Sequence, residues 1–163
     1  MIVGKPLTNV ELSAVFLKNE PPEHVSDYKY LGVKLGAGKV LTFSPIASIR
    51  SFHRAANAIL YSRVKPNNEI LLKLLYTNCV PILSYAAAVR DYSASDMYRC
   101  HVALNNAIRK IFSFAVWKSV CHLWLSHGYK SLYKIFACAK AKYLALALTS
   151  SNHIVCHVFI NLA

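Results

Sequence analysis

The sequence predicts a mainly α-helical protein in which a small N-terminal β-hairpin or sheet stub precedes a bundle of four or five helices. Up to about Lys34, apolar residues alternate with others, which is the period of a strand, and from Ser44 onward they recur every three or four residues, as in a helix. The chain has 163 residues, 55% of them hydrophobic, which excludes intrinsic disorder and suffices for one core. We place the boundary of the two parts at residues 1–40 and 41–163.

The extended part precedes the helices and contains its own turn. Apolar and other residues alternate over Val10–Phe16 and again over Tyr28–Lys34, and Asn19–Pro22 supplies turn residues between them. Gly36-Ala37-Gly38 then loosens the backbone. The segment is too short to be a domain, so it predicts a small sheet.

The first two helices have recognisable start signals. Ser44 is the expected N-cap of the first, with Pro45 at its first helical position, and Asn67 or Asn68 caps the second. Pro81 lies inside the second helix and should kink or divide it, because proline lacks an amide donor and clashes with the preceding turn. The residues expected to face the core are Ile46, Ile49, Phe52, Ala56, Ile59 and Leu60, then Ile70, Leu71, Leu74, Leu75, Asn78, Ile82 and Leu83.

Two further helices complete the predicted bundle. Ser93–Asp96 caps the third, and a short segment that ends near Gly128 leads to a fourth capped by Ser131. The third places Arg99, Asn106 and Lys110 on its outer face. The inward residues are Met97, Leu104, Ile108, Ile111 and Phe112 in the third helix, and Leu132, Ile135, Phe136 and Leu144 in the fourth.

The chain is strongly basic, with 19 Lys and Arg against 7 Asp and Glu and a formal net charge of +12. Every acidic residue precedes residue 97, so the part after Asp96 is wholly cationic. This balance favours a polyanionic partner. No stretch reaches about 18 uninterrupted apolar residues, and the N-terminus lacks the regions of a signal peptide. We therefore expect an intracellular protein with no membrane span, and its compartment stays open.

The usual catalytic and metal-binding constellations are missing from the sequence. It has no HExxH, GxSxG or DxD motif and no adjacent Asp pair. Gly36-Ala37-Gly38-Lys39 resembles part of a phosphate loop, but Val33 and Val40 occupy positions that need Gly and Ser or Thr. The five cysteines form no CxxC pair, and in the adjacent Cys-His pairs the side chains diverge by about 100° on a helix. We predict reduced thiols and no catalytic residue, metal site or cofactor.

Basic residues interleaved with aromatic ones are the strongest functional signal. Lys and Arg bind phosphates largely independently of base sequence, and exposed aromatic rings stack on bases. A solvated helix face with aromatic residues in the core is the alternative, and spacing alone does not decide between them. The predicted nucleic-acid-binding residues are Lys29, Lys34, Lys39, Arg50, Arg54, Arg63, Lys65, Arg109, Lys110 and Lys118, interleaved with Tyr28, Tyr30, Phe112, Phe114 and Trp117.

Four motifs follow one another in a recognisable order. They are Tyr28-Lys29-Tyr30-Leu31-Gly32-Val33; Leu41-Thr42-Phe43 with Ser44-Pro45 and Ala55-Ala56-Asn57; Leu74-Leu75-Tyr76 with Val80-Pro81-Ile82-Leu83-Ser84-Tyr85; and Leu104-Asn105-Asn106-Ala107-Ile108-Arg109-Lys110-Ile111-Phe112. In order and spacing, over roughly residues 1–150, the chain resembles the C-terminal part of a non-LTR (LINE-type) retrotransposon reverse transcriptase.

The resemblance implies a role for each part. Tyr30, Leu31 and Gly32 would form the primer grip, a hairpin of the palm, so residues 1–40 would be a palm remnant. Residues 41–163 would be the helical thumb, which holds the template–primer duplex by its backbone. The catalytic carboxylates of the palm, including the YxDD-type motif, precede the primer grip in that family, and this sequence lacks them. By the resemblance the chain is a fragment that does not polymerise alone, its partners are nucleic acid and the missing palm, and Mg²⁺ serves the parent polymerase.

The chain also departs from the family. Arg90 stands where the family has Trp, and Cys100, Cys121 and Cys156 stand where Arg or another polar residue is expected. Because Arg codons that contain CpG readily decay to Cys or His codons, we interpret the excess of Cys and His as decay of a retrotransposon relic. Sequencing the genomic locus tests this hypothesis, and an intact upstream palm in frame contradicts it.

Two other functions stay open. A basic amphipathic module could bind a membrane surface or a protein partner through its acid-free C-terminal third, or a separate palm chain could complete a polymerase. In the lead interpretation, a surface once packed against the palm is exposed, which predicts aggregation of the isolated chain. The residues of the amphipathic module are Lys130, Lys134, Lys140 and Lys142 beside Leu132, Phe136 and Leu144.

Overall fold

The chain divides into two compact units, residues 1–44 and 45–163. A computed structural model describes residues 27–30, 33–36, 42–63, 66–90 and 92–152. Strands form the described part of the first unit and helices that of the second. The predicted fold class, mainly α with a small sheet before a helical bundle, is confirmed. The predicted alternating stretch Val10–Phe16 and the predicted turn Asn19–Pro22 lie outside the described residues.

The first unit contains a three-stranded antiparallel sheet with the strand order β1-β2-β3. Its first two strands correspond to the alternating pattern predicted from Tyr28 onward. In their register Lys29 lies opposite Lys34, and in the second pair of strands Leu35 lies opposite Phe43. The strands are β1 (Asp27–Tyr30), β2 (Val33–Gly36) and β3 (Thr42–Phe43).

Five helical segments form the described part of the second unit, since its second and third helices are joined without a break by a π-helical turn. The first helix packs against the third and the fourth, and the fourth also packs against the sixth. The elements are α1 (Ile46–Leu60), α2 (Asn68–Leu74), the π turn (Leu75–Cys79), α3 (Val80–Ser84), α4 (Ala94–Ile111), α5 (Cys121–Ser126) and α6 (Leu132–Leu148).

Three of the predicted helix caps are confirmed. Asn67, Ser93 and Ser131 each use a side-chain oxygen to accept the hydrogen bond of an amide in the first turn, which satisfies a donor that the helix itself leaves unpaired. The start of α1 differs by one residue: Pro45 is the N-cap, with ψ of −5° and no side-chain capping bond, and Ile46 begins the helix. The capped amides are those of Ile70 at 2.9 Å, Asp96 at 3.1 Å and Lys134 at 3.3 Å.

A π turn interrupts the α-helical hydrogen bonding just before Pro81, the position at which a kink or a division is predicted. Because Pro81 has no amide hydrogen, the carbonyl of Thr77 receives no α-helical hydrogen bond from it. The turn just before it is wider: the amide of Val80 donates to the carbonyl of Leu75, five residues back. The helix thus passes the proline without ending.

The core lies where α1, the π turn, α4 and α6 meet. Four residues predicted to face inward are instead exposed: Ile46 (47%), Ile70 (50%), Leu144 (38%) and Asn78. Ile46 and Leu144 lie near helix ends, and the π turn holds an extra residue, so a period of 3.6 does not carry across it. The largest fully buried side chains are Phe52, Leu72, Leu75, Leu83, Leu104, Ile108, Leu132 and Val120.

Two contacts that involve polar side chains lie within this packing. Tyr76 stacks on Tyr129, with ring centroids 4.1 Å apart and planes inclined by 15°, and burial followed by the neighbouring Tyr129 raises the pKa of Tyr76 above its usual range. On α4, the Asn105 amide nitrogen donates to Nε2 of His101 at 3.0 Å. Burial and the nearby Arg109 guanidinium lower the pKa of His101, so the neutral ring is the favoured form.

Candidate nucleic-acid interface

The hairpin of the first unit carries the predicted primer grip. Tyr30 ends β1 and lies opposite Val33 in the register, while Leu31 and Gly32 lie outside the described residues. The side chains of Tyr28 and Lys29 are exposed. Of the other predicted binding residues of this unit, Lys34 lies in β2 and Lys39 lies outside the described residues.

Helix α1 presents two predicted arginines to solvent. Arg50 and Arg54 are both exposed, and their spacing of four residues places them one turn apart on the same helix face. Arg63 is exposed just beyond the helix end, and Lys65 lies outside the described residues. Since α1 packs through Phe52 and Ala56, which are 0% and 2% exposed, its basic face is fixed in orientation by the core.

The chain reverses direction directly after α4. Ser113 has a left-handed φ of 53°; its amide donates to the Lys110 carbonyl at 3.4 Å, and that of Phe114 to the Arg109 carbonyl at 2.9 Å. This pair of bonds is a Schellman motif, which glycine usually forms because it has no Cβ. We call residues 112–120, which this turn opens, the α4–α5 loop.

Arg109 holds this loop against α4. Its Nε donates to the carbonyl of Lys118 at 2.9 Å, and its Nη1 donates to Oδ1 of Asn106 at 2.9 Å. These bonds use two of the five donors of a guanidinium. Arg109 therefore positions the loop, whereas Lys110 is exposed on the helix surface.

The loop displays one ammonium group and one indole. Nζ of Lys118 lies 4.1 Å from the ring centroid of Phe114, a cation–π contact. Trp117 is 88% exposed, while Phe112 and Phe114 are partly buried against the core. Of the aromatic residues predicted on this segment, Trp117 is thus the one whose ring is open to a ligand.

A groove of about 320 Å³ lies between α1 and α4, and we call it the α1–α4 groove. Tyr98, which is 62% exposed, and Arg99 line it, and Arg99 also forms an ion pair with Asp96 at 3.9 Å. The Asn106 that lines it is the residue bonded to Arg109. The lining residues are Ile49 and His53 on α1 and Tyr98, Arg99, Val102, Ala103 and Asn106 on α4.

The groove connects two of the predicted basic sets. On the α1 side, Arg50 and Arg54 each follow a lining residue by one position. On the α4 side, Asn106 and Arg109 connect the groove to the loop that carries Lys118. Arg99 is thus the Lys or Arg side chain that lines the groove, and the predicted cations of α1 and of the loop lie on segments that adjoin it. Cations spread in this way suit contact with successive phosphates.

The sequence prediction gives no role to four of the seven groove residues, His53, Tyr98, Val102 and Ala103. Helical spacing contained the signal for His53 and Tyr98, because His53 follows Ile49 by four residues and Val102 follows Tyr98 by four. Which helix faces meet was not visible from that spacing.

The basic residues of the C-terminal third lie elsewhere, on α6 and just before it. Lys130, Lys134, Lys140 and Lys142 are exposed. Leu132 and Phe136 are buried at 0% and 4%, so they belong to the core. The exposed leucines of this helix are Leu144 (38%), Leu146 (71%) and Leu148 (61%).

Cysteine and histidine are spread over the described residues, in which no group of three or more His, Cys, Asp or Glu lies close enough to hold a metal ion. Burial raises the pKa of Cys100 to about 11, with Asp96 adding to the rise and Arg90 opposing it. Cys100 is 1% exposed, so it packs in the core as a small apolar side chain. Cys121 is exposed, and Cys156 lies outside the described residues.

No protein-family model, curated protein or solved structure matches the chain. Among the described residues, no helix is both long enough and apolar enough to cross a membrane. The interpretation as a reverse transcriptase therefore depends on the four sequence motifs, and the nucleic-acid interface depends on the geometry above.

Proposed function

We propose that this chain binds a nucleic-acid duplex by its phosphate backbone, without sequence specificity, at the α1–α4 groove and the α4–α5 loop. The observation that carries the proposal is a set of exposed cations at the groove and on the segments that adjoin it. Arg99 lines the groove, and Lys118 lies on the loop that Arg109 holds against α4. Arg50 and Arg54 are exposed on α1, at the positions next to its lining residues. Cations spaced over a protein surface bind successive phosphates along a nucleic-acid duplex and discriminate little between base sequences.

In the terms of the resemblance, the chain is the thumb-like part of a LINE-type RNA-directed DNA polymerase. Its duplex is the template–primer, its hairpin with Tyr30 is the primer grip, and its second partner is the palm. The catalytic carboxylates and the Mg²⁺ that they hold belong to the palm of the parent polymerase. The chain itself contributes binding and no catalysis.

The test uses fluorescence anisotropy of the full chain with a labelled RNA–DNA hybrid at increasing salt. The double variant Arg50→Gln/Arg54→Gln removes two phosphate contacts and is expected to lower the slope of log K against log salt by about 1.8. The control, Lys134→Gln/Lys142→Gln, removes the same charge from α6 and should change the slope by less than about 0.5. Equal changes for both pairs would mean that only net charge matters, which contradicts a site at the groove.

Trp117 gives an independent optical measurement. The chain has two tryptophans, so a Trp124→Phe variant leaves Trp117 as the one tryptophan. Trp124 is partly buried against the core, and phenylalanine keeps an aromatic ring there. Stacking on a base at a single-stranded end is expected to quench its emission, and Trp117→Ala should weaken binding to a hybrid with a single-stranded overhang by about 1–3 kcal/mol per stacked base. A blunt hybrid provides the comparison, because it offers fewer unpaired bases.

A second function is favoured by the exposed leucines of α6. Leu144, Leu146 and Leu148 follow Lys140 and Lys142, a combination typical of helices that bind an anionic membrane surface or a protein partner. Vesicles that contain phosphatidylserine distinguish it from the first proposal. Binding to vesicles that Leu146→Ser/Leu148→Ser abolishes, with no affinity for the hybrid, would support this second function and refute the first.

A further inference from the structure

Arg90 is a charged residue that the fold buries. Its exposed fraction is 3%, and it is the charged side chain in the buried set of the described residues. A tight turn after α3 places it there: Ala86 has a left-handed φ of 57°, and the Arg90 amide donates to the Ala86 carbonyl at 3.0 Å. The backbone thus fixes the guanidinium inside the bundle.

The described surroundings of Arg90 satisfy its charge poorly. Nη1 donates to the hydroxyl of Tyr92 at 3.1 Å, and the guanidinium carbon lies 5.9 Å from the centroid of the same ring. Nε is buried, and no described residue accepts its hydrogen bond. No described carboxylate forms an ion pair with it, and Asp91 lies outside the described residues. A buried cation in this state is strongly unfavourable unless an anion joins it.

Arg90 lines a cavity of about 230 Å³. Lys140 lines the same cavity and adds a second cationic side chain. The remaining walls come mainly from apolar and aromatic side chains, among them Met97, Tyr133 and Phe136. The site therefore combines a positive end with an apolar body, and it is smaller than the pockets that hold drug-sized ligands.

We propose that the Arg90 cavity binds a small monocarboxylate with an aromatic or branched apolar body. A guanidinium has donors spaced to hold both oxygens of a carboxylate. A phosphate is the other anion that guanidinium groups bind, but its further oxygens would face apolar walls and lose their hydration. An apolar body beside the carboxylate replaces water against Met97 and Phe136, which adds favourable burial.

The test is isothermal titration calorimetry of the full chain with phenylacetate, phenylacetamide and phenyl phosphate. Phenylacetamide has the same shape without the charge, and phenyl phosphate offers the other anion. We expect phenylacetate to bind at least tenfold more tightly than either. Binding of phenylacetamide or phenyl phosphate as tight as that of phenylacetate would overturn the proposal.

Three variants locate the binding. Arg90→Met removes the charge at similar length, and Ala137→Trp fills the cavity while keeping Arg90; each should weaken phenylacetate binding at least tenfold. Arg99→Met removes an arginine outside this cavity and should change the affinity less than twofold. Retained affinity in both Arg90→Met and Ala137→Trp, with folding checked by circular dichroism, would refute the site.

An internal anion is the remaining explanation of a buried guanidinium, and Asp91→Asn tests it. The proposal predicts that Asp91→Asn changes phenylacetate affinity less than threefold. If the unmodified chain binds no phenylacetate and Asp91→Asn does, then the Asp91 carboxylate occupies the role assigned to the ligand and the proposal is wrong.

Discussion

Replacing Arg90 with methionine should stabilise the protein in the absence of ligand. Desolvating a buried guanidinium costs several kcal/mol even after relaxation. The two contacts that the structure shows in return, a hydrogen bond to the Tyr92 hydroxyl and the face of the same ring, contribute about 2–4 kcal/mol together. Methionine is of similar length and carries no charge, so we expect the free energy of unfolding to rise by about 1–2 kcal/mol.

Urea unfolding followed by circular dichroism measures this change, with thermal unfolding as a second readout. The midpoint should rise at constant m-value, and Tm should rise by roughly 2–8 °C for a chain of this size. Arg99→Met is the matched control: its side chain is 59% exposed, so its effect should stay within about 0.5 kcal/mol. A loss of stability in Arg90→Met beyond about 1 kcal/mol would refute the reasoning, because it would show that a partner already neutralises the buried charge.

Three further predictions concern the core and its titratable groups. Leu104 is 2% exposed, so Leu104→Ala should lower the free energy of unfolding by about 2–5 kcal/mol in the same urea assay. Cys121 is exposed whereas Cys79 and Cys100 are buried with raised pKa values; mass-mapped alkylation should therefore label Cys121 first, and equal labelling of all three would contradict the packing. Burial and Arg109 lower the pKa of His101 below its ordinary 6.5, so the unfolded chain takes up the proton first as pH falls: stability should decline below about pH 6.5, and His101→Gln should remove part of that decline.

Local chemistry made several elements predictable. Asn67, Ser93 and Ser131 cap their helices because a side-chain oxygen reaches an amide two or three residues ahead, and that geometry depends on nothing distant in the chain. The division at Pro81 was predictable for the same reason, since a missing amide hydrogen has its effect within one turn.

Which residues of the second helical segment face the core was harder to predict. The predicted apolar stripe included Ile70 and Asn78 and left out Leu72. In the structure Leu72 is fully buried, and the other two are exposed. Ile70 and Leu72 are two residues apart and so lie about 200° apart around α2. Which of them is buried is decided by the packing of α2 on α4, and that packing is not visible in the local sequence. A proline in the sequence predicts that the α-helical hydrogen bonding is interrupted, but not whether the interruption is a kink, a break or a π turn.

The candidate interface shows the same division between local and distant information. Exposure of Arg50 and Arg54 follows from the apolar stripe of α1. The α1–α4 groove does not, because it exists only where two helices far apart in sequence pack together. Tyr98 and His53 enter the site by that packing. Arg109 also has a role that the sequence did not predict, since its bonds hold the loop in place.

The resemblance and the structure suggest different explanations of Arg90. The chain is either a decayed relic or a protein that retains a binding site at this residue. The resemblance marks position 90 as a departure from Trp, which a decayed relic explains by relaxed selection. The structure shows a buried charge beside a cavity, a local conflict of the kind that proteins retain at functional sites. Both histories predict that Arg90→Met is more stable without ligand. Only a retained site predicts that the stabilised variant also loses phenylacetate binding, so stability and affinity must be measured on the same variant to tell the two apart.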